Sequence, residues 1–211
     1  MRIFIFLCAF LMSSDVISQT LRDSILIKTE AYEVVYSEKF EQPLRITYKV
    51  ACYSGEISRS GMDFYTNDSI KTSDDLDYKD NVYDKGHLAP AADFNCDSSL
   101  MKLSFSYLNC ALQHQTLNRG VWKSLESRER EIFMEEDVTV IIQVIFSDSS
   151  KVLPTGATVP DGFYKTILTK TKKEVYYFPN IAPKNREISY YLLVPDKNKG
   201  KVKRVGYIKN K

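Results

Sequence analysis

One stretch in the second half of the chain is apolar at almost every position. Val138, Val140, Ile142 and Val144 interleave with Thr139, Ile141, Gln143 and Ile145. So apolar a run predicts a strand buried on both faces and central in its sheet, not at an edge. Earlier, Leu44, Ile46, Tyr48 and Val50 recur at period two and predict a strand over 45–52. It is preceded by one over 32–36 and joined to it through Phe40, Glu41, Gln42 and Pro43. Further strands are expected over 159–168, 174–178 and 188–194. Between them Leu117, Val121, Leu125 and Ile132 fall at close to helical period behind Thr116, a suitable N-cap, which predicts a helix over 117–134. Residues 54–81 are polar, contain Gly55 and Gly61, and read as connecting structure. With no internal repeat and no low-complexity linker, the expected fold is a single α+β domain: a central, mainly antiparallel sheet with flanking helices.

The first residues add a compartment. A basic start, an apolar run from Ile3 to Met12 and small or polar residues after it match a cleaved secretory signal over 1–18, leaving 19–211 as the domain. Ten apolar residues fall well short of the roughly 20 that a membrane span needs. The expected product is therefore exported, secreted or periplasmic, with no membrane association once the signal is gone. Removing Cys8 leaves Cys52, Cys96 and Cys110, so at most one intrachain disulfide can form. Export permits a bridge but the spacing does not choose the partners, and each thiol is by default a small buried apolar group. No C-x-x-C pair exists and the chain has only 2 histidines, which argues against a zinc centre. The formal net charge of +2 neither favours nor excludes a polyanionic partner, because a local basic cleft is all such a partner requires. The lysine-rich tail over 197–211 reads as a solvated end.

Chemistry concentrates in two stretches. In the first, His87 follows Asp84, Lys85 and Gly86 and precedes Pro90. Its imidazole can act as a base near neutral pH, glycine permits close approach or a positive φ, and proline stops a helix from running through. In the second, Asn118, Trp122 and Glu126 step by four on the predicted helix, which stacks them along one side. Taken singly, the first fits a turn and the second an ordinary amphipathic helix.

Together the two stretches resemble the DNA/RNA non-specific endonuclease family. Its ββα-metal site carries a DRGH motif and, downstream, N-x-x-P-Q-x-x-x-x-N-x-x-x-W-x-x-L-E. Here the chain reads DKGHLAPAADF and then NCALQHQTLNRGVWKSLE, with the intervals from Asn109 to Asn118 and from Asn118 to Glu126 kept. Fainter echoes, EQPLRITYKV, VPDGFYKTIL and YYFPNIAP, extend the likeness over most of the mature chain. Lys85 stands where the family has arginine, and Leu112 where it has proline.

The resemblance implies a metal-dependent endonuclease that hydrolyses phosphodiester bonds in DNA, and as an open alternative in RNA, with little sequence preference. His87 is implied as general base, with its other ring nitrogen held by a carbonyl or amide. Asn118 is implied as the direct protein ligand of a magnesium ion, for which manganese can substitute, and Glu126 as the acceptor for the ion's water molecules. Asn109 is implied to orient the base or the substrate. Lys85 is implied to face the phosphate without the bidentate geometry of arginine. Arg59 lies near where family members carry an active-site arginine, though a solvated surface role fits it equally. Trp122 is read as a core anchor, and His114 as a loop residue near the site. The competing expectation is a catalytically weakened or inactive member that binds nucleic acid or a protein. A small-phosphodiester hydrolase is a third.

Overall fold

The structure is a computed structural model that describes residues 22–195 and 202–204. The expected signal segment and most of the lysine-rich tail lie outside the described residues.

Six strands form one antiparallel sheet, in which the third and sixth strands of the chain are neighbours and the others lie beside their sequence neighbours. They are β1 (Ile25–Lys28), β2 (Tyr32–Ser37), β3 (Gln42–Lys49), β6 (Thr139–Ile145), β7 (Gly162–Leu168) and β8 (Lys173–Pro179). The predicted α+β class with a mainly antiparallel sheet is therefore the observed one. As expected, β6 is central, paired with β3 on one side and β7 on the other. It is not buried on both faces: Val140, Ile142 and Val144 are buried, while Gln143 on the opposite face is exposed. An antiparallel sheet needs only one covered face, so β6 keeps the simple alternation despite its apolar composition.

Two other expectations change. The predicted strand over 188–194 is a 3-10 turn, Ile188–Tyr191, followed by the short β9 (Leu193–Pro195), which pairs with β10 (Val202–Arg204). Stacking of Tyr191 on Phe178, with centroids 4.7 Å apart, packs this turn onto the sheet, so its apolar residues mark a contact and not a strand. The stretch around His87 is not a turn but β4 (Tyr83–His87), paired antiparallel with β5 (Cys110–His114). Gly86 has no positive φ; a Cβ there would lie 2.6 Å from the Gln113 Cβ, so glycine serves close packing between the two strands.

Behind β5 the helix begins two residues earlier than predicted, capped by His114, whose Nδ1 accepts the Thr116 amide at 3.2 Å. It runs as α2 (Gln115–Leu117), a π turn (Asn118–Trp122) with Gly120 at non-helical φ and ψ, and α3 (Lys123–Phe133). Trp122 is fully buried and meets Phe163 and Phe178 edge-on at 5.4 and 5.5 Å, so it is the expected core anchor. The wider turn breaks the predicted stripe: Trp122 points into the core while Asn118 and Glu126 face a cleft.

Cys52 and Cys96 form a disulfide across the connecting segment, and Cys110 is a buried free thiol. Only Cys110 therefore fits the default of an apolar filler; burial pushes its thiol up to about 12. A bridge closing a loop of 44 residues is worth roughly 4 kcal/mol in the chain-entropy picture. Peptide mapping under non-reducing conditions should find Cys52 joined to Cys96, with Cys110 unreactive to alkylation until the protein is denatured.

Candidate active site

The β4–β5 ribbon and the helix that follows it enclose an open cavity of about 750 Å³. Lys85 and His87, two residues apart on β4, face it from one side, and Asn118 and Glu126 face it from the other. Arg59, Arg119, Lys123 and Arg130 also line it, against only Asp63 and Glu126 as acids. A chain of small net charge thus concentrates positive charge at one place, which is what a polyanion requires.

His87 lies against Phe64 at 4.6 Å and edge-on to Phe105 at 4.8 Å between ring centroids. Burial, reinforced by the nearby Arg59 charge, pushes its pKa down to about 3. The ring is therefore neutral, and able to accept a proton, across the physiological range. The expected carbonyl or amide partner is absent: Nε2 is buried without a hydrogen-bond partner among the described residues. Aromatic packing orients the imidazole instead.

Asn109 is not in the cavity. It is fully buried, and its amide accepts the Ala89 N–H at 2.8 Å while donating to the Ala89 and Ser104 carbonyls at 2.8 and 2.7 Å. Its role is to staple the chain just beyond His87 to the end of α1 (Ser98–Ser104), which excludes contact with a substrate.

Asn118 is fixed by Asp84. Its Nδ2 donates to Asp84 Oδ2 at 2.9 Å, and since a carboxylate only accepts, the amide orientation is determined. The Asn118 Oδ1 accepts no hydrogen bond from the described residues. Arg119 completes the clamp with bonds of 2.8 and 2.6 Å to the same carboxylate.

Glu126 is half-buried, and burial is the main cause of a pKa raised to about 7; Lys165 and Arg130 pull against it, Glu129 adds to it. Beneath it lies a layer of buried charge. Lys165 and Glu129, both fully buried, pair at 2.8 Å, Tyr48 donates to Glu129 at 2.8 Å, and the Lys165 ammonium sits 4.4 Å from the Trp122 ring centroid. Arg130 pairs with buried Asp93 at 2.8 Å.

The donor chemistry fits a hard divalent cation. A free amide oxygen and a carboxylate face one wet cavity, and no cluster of three or more His, Cys, Asp or Glu exists among the described residues to form a soft or closed cage.

Lys85 is less free than the sequence implied. It pairs with Asp75 and lies 3.5 Å from Asp63, with the Phe64 and Tyr107 rings each 5.6 Å away. Burial works to lower its pKa, but the two carboxylates outweigh that and the net shift is upward. Its charge is retained and largely balanced.

Arg59 is exposed and borders the cavity. His114 caps the helix and does not line the cavity. Arg130 and Asp84 were missed. Arg130 follows Glu126 by four on the predicted helix, a spacing that could have found it. The Asp84 contact across 34 residues leaves no local trace in sequence.

The sequence model of the family described as DNA/RNA non-specific endonuclease matches residues 13–203. A Bos taurus protein named "Endonuclease G, mitochondrial" is 33% identical over 81 residues, and its Homo sapiens counterpart 32%. Each match covers 37% of this chain and 27% of the relative, so the likeness spans about a quarter of those longer proteins. Among solved structures, one titled as the EndoG/EndoGI complex and the mechanism of EndoG inhibition superposes with a TM-score of 0.73 at 23% identity. It covers 81% of this chain and 80% of that one, a likeness of fold.

An arginine at position 85 can satisfy the Asp75 carboxylate and still present a second N–H pair to the cavity, which lysine cannot. Lys85→Arg is expected to be at least as active as the parent in a plasmid-nicking time course. A large loss of rate would remove residue 85 from the phosphate side of the site.

Proposed function

The chain belongs to the DNA/RNA non-specific endonuclease family, and from that premise we propose that it is an exported, metal-dependent endonuclease. It cleaves phosphodiester bonds in DNA, and in RNA where the cleft tolerates the 2′-hydroxyl, with little sequence preference. The observation that carries this reading is the convergence of His87, Asn118 and Glu126 on one basic cavity. Recognition through phosphate and sugar agrees with a site lined by arginine and lysine and lacking an inserted reading helix. The Cys52–Cys96 disulfide supports an oxidising compartment, and among the described residues no helix is long and apolar enough to cross a membrane.

In this mechanism His87, kept neutral by desolvation of its ring, takes a proton from the attacking water. Arg59 and Arg130 face the charge that grows on the phosphate, with Asp93 holding the Arg130 guanidinium in place. Lys85 contributes less, since Asp75 and Asp63 already balance it. Asn118 through Oδ1, supported by Glu126, would hold a magnesium or manganese ion, which when bound supplies Lewis-acid stabilisation of the phosphoryl and leaving oxygens. Asn109 positions the loop behind His87 without touching substrate.

The balanced charge at Lys85 also favours a second reading, a weakened or inactive member acting as a binding module. Plasmid digestion separates the two. The parent should cut with magnesium and stop with chelator, and His87→Ala should lose about 10² to 10⁴ in rate, as should Asn118→Ala. Retained DNA binding with no cleavage under any divalent metal would leave the binding module.

The pH profile carries its own sign. His87, with its pKa pushed down to about 3, is already deprotonated at mild acidity and contributes no limb near neutrality. Glu126, raised to about 7, is protonated and uncharged below that pH, so activity should rise with pH as the carboxylate ionises. More magnesium favours the ionised form and should shift this limb to lower pH. A limb that ignores magnesium concentration would separate it from Glu126.

A further inference from the structure

Beside the principal cavity, and sharing Arg119 with it as a common wall, lies a second one of about 540 Å³. Its polar lining comes from Gln115, Thr116, Arg119, Ser124, Asn185 and Arg186, and no acidic side chain lines it. We propose that this second cavity is a phosphate-binding subsite that grips the polynucleotide strand beyond the bond being cut, with Arg186 as its principal contact. The proposal rests on the nuclease reading for the identity of the strand.

Three observations support it. The two arginines differ in commitment: both Asp84 oxygens accept from Arg119, which neutralises and orients it, whereas Arg186 is exposed and forms no ion pair among the described residues. Arg186 is therefore the uncompensated charge in an acid-free groove, and Glu187, next to it in sequence, is not in the lining. The floor between the cavities is the π turn, where Gly120 has no heavy atom within 4 Å of where a Cβ would stand. A sugar–phosphate backbone leaving the Asn118 side of the site can pass close over that glycine without meeting a side chain. Finally, the remaining lining groups are neutral hydroxyls and amides. The Asn185 Oδ1 is already engaged by the Glu187 amide, which leaves its Nδ2 as a donor. Neutral donors around one free guanidinium suit a phosphodiester, which needs donors and a single compensating charge.

The test is fluorescence anisotropy of a labelled single-stranded oligonucleotide with the full chain carrying His87→Ala, in magnesium, over a series of salt concentrations. Adding Arg186→Ala should weaken binding several-fold and lower the salt slope by about one. Arg186→Lys should restore much of both. Arg45→Ala, which removes the same charge from an exposed position on β3, is the control for net charge and should do neither. Equal affinity and slope for Arg186→Ala and Arg45→Ala would overturn the subsite. The nuclease reading is decided separately by plasmid cutting. A parent that cuts, with no effect of Arg186→Ala on binding, removes the subsite alone. A parent that binds through Arg186 but never cuts keeps the subsite and removes the nuclease.

Discussion

The Asp84 carboxylate holds the site together. It accepts from Asn118 and twice from Arg119, joining β4 to the π turn across 34 residues of chain. Bonds to an ionised acceptor are roughly twice as strong as neutral ones, and here they also choose a rotamer. With Nδ2 committed, the carbonyl end of Asn118 is the one left for a cation. The same carboxylate restrains Arg119, the wall between the two cavities. Charge balance at the cavity rim and the orientation of the Asn118 amide thus meet at one acidic side chain.

Behind this clamp the core supplies rigidity. Trp122 sits between Asn118 and Glu126 in sequence yet faces inward, locked by Phe163 and Phe178 on the sheet. Replacing a buried indole of this kind by alanine costs about 3–5 kcal/mol. The Lys165–Glu129 pair beneath it carries a desolvation cost of several kcal/mol per ion by rough estimate. Tyr48 and the indole face offset part of that cost. What the pair adds is a fixed field under Glu126, whose ionisation it influences from below. His87 is shifted the other way: burial, with the Arg59 charge nearby, favours its uncharged form. One cavity therefore holds an imidazole shifted down and a carboxyl shifted up, each chiefly by burial.

Much of the fold was legible because burial on one face writes itself into sequence at period two. The strands β2, β3, β6, β7 and β8 all fall on stretches that read as strands in the sequence, with ends displaced by a few residues, although β6 reads there as an apolar run and not as an alternation. The predicted strand over 188–194 failed because its aromatic residues pack as a 3-10 turn, and apolar content alone does not distinguish the two. The ribbon of β4 and β5 escaped because its strands are only five residues each, β4 is largely polar, and the partners lie far apart along the chain. Asn109 reads in the sequence as orienting the base or the substrate; the structure shows its amide spent on the Ala89 and Ser104 backbone. An amide that staples a loop and one that meets a ligand look alike in a motif.

By itself the sequence determined the class of fold, the family resemblance, and the identity of the groups able to do chemistry: an imidazole, an amide and a carboxylate at particular intervals. Only the tertiary structure decided how each is used. It turned Trp122 away from its helical neighbours, paired Lys85 with two acids, left the buried His87 nitrogen without a polar partner, and paired Cys52 with Cys96. The reason is range. Periodicity and motif spacing report interactions within a few turns or strands, whereas charge balance, burial and hydrogen-bond commitment depend on what distant segments bring alongside.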